Sequence, residues 1–199
     1  MKPISLLKGA AFAAAPIPAA ALAYRFYTQN LTADPGAYIT HQTGTWTLAM
    51  LVITLTITPL RRLAKWNELI RLRRMLGLFS FFYGTLHMLT WVVFFHYFDV
   101  KSMIEDVAKR PYITVGMSVF LILLSLAVTS NRFALRKLGR RWQKLHRLVY
   151  VAAIGGVIHF WWSVKADITL PRRWAVAVAL LLGFRVWWAW RSKRQGVHA

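Results

Sequence analysis

The chain has 199 residues, 57% of them hydrophobic, with 26 Lys and Arg against 6 Asp and Glu for a formal charge of +20, and its mean hydropathy is +0.43. So much apolar content exceeds what a water-soluble globule of this size buries, which points to an integral membrane protein. The absence of cysteine excludes disulfides, thiolate metal centres, iron–sulfur clusters and covalently attached c-type haem, and leaves transition-metal chemistry to six histidines.

Apolar runs long enough to cross the ~30 Å hydrocarbon layer as helices are expected at about 4–24, 41–60, 75–98, 111–129, 148–164 and 172–190. The predicted fold is therefore an all-α, six-helix transmembrane bundle, a single transmembrane domain over residues 1–199 with no soluble part. The first run follows Lys2, includes Lys8 near its start and is interrupted by Pro16 and Pro18. Its Ala21-Leu22-Ala23 triplet also fits a secretory cleavage site, but the six-span count, with both termini on one side, favours its retention. The segment from Thr28 to Tyr38 carries no Lys or Arg, and the second span opens at His41.

Between the second and third spans lie Arg61, Arg62, Lys65, Arg71, Arg73 and Arg74. Between the fourth and fifth lie Arg132, Arg136, Lys137, Arg140, Arg141, Lys144 and Arg147. The loop after the third span balances Asp99, Glu105 and Asp106 with Lys101, Lys109 and Arg110. By the positive-inside rule the two basic segments face the cytoplasm, and so do both termini. Because the basic residues sit in short segments between apolar runs, they are topology signals that also meet anionic lipid, and nucleic acid is not an expected partner. Most tryptophans fall near predicted span ends, as membrane-interface belts do.

An ionisable side chain inside a span is costly and is a functional hypothesis by default. His87 lies twelve residues into the third span, and His159 twelve residues beyond Arg147. At 1.5 Å per residue each is about 18 Å from the basic end of its helix, so the two share one depth. Two imidazoles at one level on different helices can clamp a haem iron from opposite faces; interhelical hydrogen bonds or a proton path are the other uses of such a pair. Gly84 and Gly156 each stand three residues before one of these histidines, on the same helix face, where a bare backbone patch admits a porphyrin edge. His146 is thirteen residues before His159, about 140° away around an ideal helix, and is a supporting, propionate-binding or alternative axial residue. His41, at the start of the second span, can meet a haem propionate or a quinone head group. His96, nine residues after His87, falls on the opposite face of the same helix and is expected at the interface; His198 is expected to be solvated. Phosphate-binding glycine loops, a dinucleotide fingerprint and a nucleophile elbow are all missing from the sequence, and Asp34 and Asp167 are expected to be solvated or partner-facing rather than catalytic.

Several stretches together carry a resemblance: His41-Gln42-Thr43-Gly44, Ile57-Thr58-Pro59-Leu60, Arg71-Leu72-Arg73-Arg74-Met75-Leu76-Gly77-Leu78, Thr85-Leu86-His87, Arg110-Pro111-Tyr112-Ile113-Thr114-Val115-Gly116, Trp142 through Tyr150, and Ile158-His159-Phe160-Trp161-Trp162-Ser163-Val164-Lys165. In order and spacing, over roughly residues 34–170, the chain resembles the MsrQ (YedZ) family, haem-binding inner-membrane subunits of the bacterial methionine sulfoxide reductase system within the ferric-reductase-like transmembrane superfamily. The resemblance implies b-type haem held by the histidines at positions 87, 146 and 159. It also implies electrons drawn from the quinone pool and delivered to a periplasmic molybdenum-cofactor subunit, MsrP, that repairs oxidised envelope proteins. An FMN enters on the same ground alone, whereas the basic inner rim of Arg71, Arg73, Arg74, Arg140, Arg141, Lys144 and His146, read first as topology and lipid contact, has as its alternative a docking site for a phosphate-bearing flavin or a cytosolic reductase. The chain is then an electron-transfer subunit rather than the catalytic one, in the bacterial inner membrane. The wider superfamily often stacks two haems with two histidines on each of two helices; a second ligand low in the third span is missing here, which favours one haem in the outer half of the bilayer. The rival readings are a self-contained ferric or quinol oxidoreductase, which needs a flavin- and nicotinamide-binding extension, and a histidine-relay transporter, which needs no haem.

Overall fold

The computed structural model describes residues 3–196, so Lys2 and His198 lie outside the described residues. The described residues form ten α-helices: α1 (Pro3–Ala14), α2 (Ile17–Tyr27), α3 (Pro35–Leu63), α4 (Leu72–His96), α5 (Val100–Lys109), α6 (Pro111–Val128), α7 (Arg132–Leu138), α8 (Arg140–His146), α9 (Leu148–Ser163) and α10 (Thr169–Gly196). A short 3-10 turn over Asn67–Arg71 joins α3 to α4. Among the described residues four helical stretches are long and apolar enough to cross a membrane, namely Pro3–Tyr27, Pro35–Leu63, Asn67–His96 and Pro111–Val128. The expected fifth and sixth spans correspond to α9 and α10. α9 is apolar but has only 16 residues, and α10, with 28, carries Arg172, Arg173 and Arg185 inside its length.

Helix starts follow local chemistry. Asp34 accepts the Ala37 N–H at 2.9 Å ahead of Pro35 in the first turn of α3, Asp99 accepts from Lys101 and Ser102 at the start of α5, and Asn131 accepts from Ala134 at the start of α7. Each side-chain oxygen satisfies a backbone donor that the first helical turn leaves free. Asp167 does the same for Thr169 ahead of α10, at 2.8 Å, and that donation pulls its carboxyl pKa below the usual value. Asp34 and Asp167 thus act as caps.

α3, α4, α6 and α9 follow one another around a ring, each packed against the next, with α9 closing on α3. α10 covers α9 and α3 from outside. Toward the basic ends of these helices the ring is filled: Leu48, Leu51, Val52, Leu55, Leu123, Ala152, Ala153 and Val178 form one buried cluster. α5, α7 and α8 stand where the sequence suggested loops. α5 packs on α4 and α6, and α7 and α8 fold the second basic segment into two short turns ahead of α9.

The expected first span is two helices. Pro16 and Pro18 cannot donate to the helical ladder, and the chain breaks between Ala14 and Ile17. The hydroxyl of Tyr83, on α4, fills the break: it donates to the Ala15 carbonyl at 2.7 Å and accepts the Ala19 N–H at 3.2 Å. Pro59 breaks the ladder of α3 likewise, because its missing N–H frees the carbonyl of Leu55. Arg185 of α10 donates Nη2–H to that carbonyl at 2.7 Å and lays its guanidinium over the Tyr150 ring.

Candidate functional site: two facing histidines in a bundle cavity

Beyond the packed cluster the ring opens into a cavity of about 540 Å³, within the range typical of cofactor sites. Its walls come from all four ring helices and include Thr40, Gly44, Leu48, Leu51, Gly84, His87, Gly116, Phe120, Leu123, Gly156 and His159. His87 reaches in from α4 and His159 from α9, with ring centres 6.0 Å apart and ring planes at 78°. The equal depth expected from counting along the two helices brings the rings to one level, nearly perpendicular to each other.

Each ring is oriented by a backbone carbonyl of a neighbouring helix. His87 Nδ1–H donates to Thr40 O on α3 at 2.8 Å, and His159 Nδ1–H donates to Tyr112 O on α6 at 2.6 Å. A carbonyl only accepts, so the proton sits on Nδ1 and each Nε2 keeps a free lone pair, the arrangement found in histidine metal ligands. Two imidazole–metal bonds of about 2 Å, one on each side of an ion, place ring centres about 6 Å apart. The 6.0 Å separation fits one metal ion gripped between the rings, and the apolar lining toward the packed cluster, Leu48, Leu51, Phe120 and Leu123, suits a porphyrin around it.

The rings have little room on their other sides. A Cβ on Gly44 would stand 3.0 Å from the His87 ring, and one on Gly116 would stand 2.7 Å from the His159 ring. Gly84 and Gly156, expected beside the ligands, do line the cavity. Their nearest neighbours, however, are Thr47, Leu123 and Leu48, at ordinary contact distance for an added Cβ. The clearance that the rings need is supplied by α3 and α6 across the helix–helix contacts. Gly44 and Gly116 both lie inside stretches that carry the family resemblance, yet without neighbours they read only as small residues.

The polar residues of the cavity gather at the end away from the packed cluster. His41 lines that end with its ring edge-on to Phe160, 5.3 Å between centres. His96, expected at the interface on the opposite face of α4 from His87, turns its ring inward instead: it is 8% exposed and lines the same cavity. Its Nδ1 pairs with Ser102 Oγ at 2.8 Å and its Nε2 with Asp106 Oδ2 at 3.1 Å, both from α5, while Trp91 covers the ring. Asp106 Oδ1 then accepts Arg110 Nε–H at 2.8 Å. The reason is that α5 folds back over the face of α4 that the sequence left to lipid or water.

His146 is not brought to His87 and His159. It ends α8, stacks on Trp142 at 3.9 Å, and pairs its Nε2 with Thr129 Oγ1 at 3.0 Å. Burial first, and the charge of Arg73 second, push its pKa below the usual histidine value, which favours the neutral ring.

With this geometry in view, residues 43–157 match the family described as ferric reductase like transmembrane component. The chain is 51% identical over 193 residues to the protein-methionine-sulfoxide reductase heme-binding subunit MsrQ of Herminiimonas arsenicoxydans, covering 96% of this chain and 88% of that one. The chain belongs to the MsrQ family of ferric-reductase-like transmembrane proteins. The subunit of the same description from Ralstonia nicotianae is 51% identical over 175 residues, covering 86% and 81% of the two chains, and that of Bordetella pertussis is 46% identical over 193 residues, covering 95% and 94%. No solved structure matches the chain. Family and apolar helices together make it a multi-pass membrane protein.

Proposed function

We propose that this MsrQ-family chain is a b-type haem electron-transfer subunit that spans the bacterial inner membrane six times, with the basic loops and both termini in the cytoplasm. It takes electrons from the quinone pool and passes them to a periplasmic molybdenum-cofactor subunit, MsrP-like, which reduces methionine sulfoxide in oxidised envelope proteins. The observation that carries the reading is the pair His87 and His159, level across one cavity with their Nε2 atoms free. The names of the relatives, heme-binding subunits of a methionine sulfoxide reductase, support the cofactor and the system. FMN rests on the family resemblance alone, and a cytosolic flavin reductase on the basic inner rim around Arg73 and Arg140.

Bound haem supplies a one-electron couple whose potential follows its ligands and surroundings. His87 and His159 would hold the iron as neutral imidazoles, and Thr40 and Tyr112 fix their tautomer and angle through backbone oxygens that substitution does not remove. Gly44 and Gly116 let the rings stand close to α3 and α6. Leu48, Leu51, Phe120 and Leu123 keep water from the basic-end side of the cavity. His41 and Arg110 at the polar end provide cationic and hydrogen-bonding groups for the carboxylate edge of a haem.

A dithionite-reduced minus oxidised spectrum of the purified protein tests the cofactor: a b-type α-band is expected, and its absence removes the reading. The band should vanish in the His87→Ala, His159→Ala double variant; a band that survives discards the ligand pair. Turnover of methionine sulfoxide with a quinol donor and a co-expressed periplasmic molybdoenzyme tests donor and partner, and no turnover removes them.

A further inference from the structure

α5 sorts its side chains into three rows. Ser102, Met103, Asp106 and Val107 turn toward the bundle, where Ser102 and Asp106 hold the buried ring of His96. Val100, Ile104 and Ala108, four residues apart and so on one face, form an exposed apolar row, with Val100 61% and Ile104 65% exposed. Beside it Lys101, Glu105 and Lys109 form a charged row, closed by a Lys109–Glu105 ion pair at 3.0 Å. A short helix with an apolar row, a charged row and low overall hydrophobicity is built to lie flat in a membrane interface.

The chain also sets the level of this helix. Only residues 97–99 separate α5 from α4, and Arg110 alone separates it from α6, so α5 cannot rise from the plane where two apolar membrane helices end. Phe95 at the end of α4 and Tyr97 and Phe98 in the connection to α5 are exposed and apolar as well. Tyr97 and Phe98 both adopt left-handed backbone angles, φ 47° and 64°, an uncommon conformation for aromatic residues that turns the chain sharply enough to bring α5 back over α4.

We propose that α5 is a lipid-seated roof on the polar end of the cavity. Val100, Ile104 and Ala108 rest in the outer-leaflet interface, Lys101, Glu105 and Lys109 face water, and Asp106 and Ser102 pin the third row to His96. The bilayer holds the roof from one side and the His96 cluster from the other, which closes that end of the cavity to bulk water. This reading is independent of what the cavity holds.

The absence of cysteine makes single-cysteine variants direct probes. Ile104→Cys and Glu105→Cys, with Val100→Cys and Lys101→Cys as a second pair should one variant fail to fold, are labelled with a nitroxide in the full chain. The labelled proteins are then placed in phosphatidylethanolamine–phosphatidylglycerol vesicles. Collisions with oxygen should outweigh those with a water-soluble nickel chelate at 100 and 104, and the order should invert at 101 and 105. Water-like exposure at all four positions overturns the lipid seat and leaves the row to a protein partner. Adding Asp106→Ala should raise the mobility of the 104 label while the folded protein stays monodisperse; an unchanged label overturns the pin.

Discussion

His159 has almost no slack on its α6 side, because a methyl group on Gly116 would fall inside van der Waals contact with its ring. Gly116→Ala is therefore expected to turn or displace that ring, lowering haem occupancy or shifting the absorbance and midpoint potential of the purified protein. Gly84→Ala, whose added carbon meets Thr47 and Leu123 at ordinary distances, should leave the spectrum close to that of the parent. Equal effects of the two would show that ring clearance is not what the glycine provides. The depth of His87 and His159 was legible by counting along two helices from their basic ends, since helical rise is constant. Their glycine partners were not legible, because Gly44 and Gly116 act across helix contacts that no local spacing encodes. His96 illustrates the same limit: counting sets it opposite His87 on α4, but only the fold shows that α5 covers that side.

Two elements survive their prolines through side chains sent from other helices. Inside a membrane a freed carbonyl cannot turn to water and must find another donor, and Arg185 supplies one to Leu55. Arg185→Leu should destabilise the protein by about 1–2 kcal/mol, read as a lower midpoint of thermal unfolding in detergent. In a Pro59→Ala background residue 59 regains an N–H for Leu55, so the same change should cost less; an undiminished cost would assign Arg185 to packing on Tyr150 instead. Tyr83→Phe removes both bonds across the α1–α2 break and should cost about 1–2 kcal/mol, with faster proteolysis near Ala15 as the local readout. The prolines that interrupt these helices were visible in the sequence. Their remedies were not, because Tyr83 and Arg185 lie 68 and 130 residues from the carbonyls they serve. α5, α7 and α8 were missed for a different reason: each has only 7 to 10 residues, too short to be stable alone and held by packing and caps.

At the scale of the molecule, charge distribution predicts which end faces which compartment. A membrane-impermeant maleimide should label Glu105→Cys in spheroplasts and reach Gln143→Cys only after permeabilisation; the reverse pattern would invert the topology. Membrane residence, the basic and neutral ends, and the two level histidines follow from the sequence alone, because hydropathy, net charge and helical rise are local sums that need no knowledge of neighbours. Tertiary structure alone decided that α3, α4, α6 and α9 close a ring, that neighbouring backbone carbonyls set both imidazole tautomers, and that His96 is locked beneath α5. Those features depend on which helices touch, and helix contacts in a bilayer come from close packing of small residues and polar links between distant segments, neither of which leaves a periodic trace along one chain.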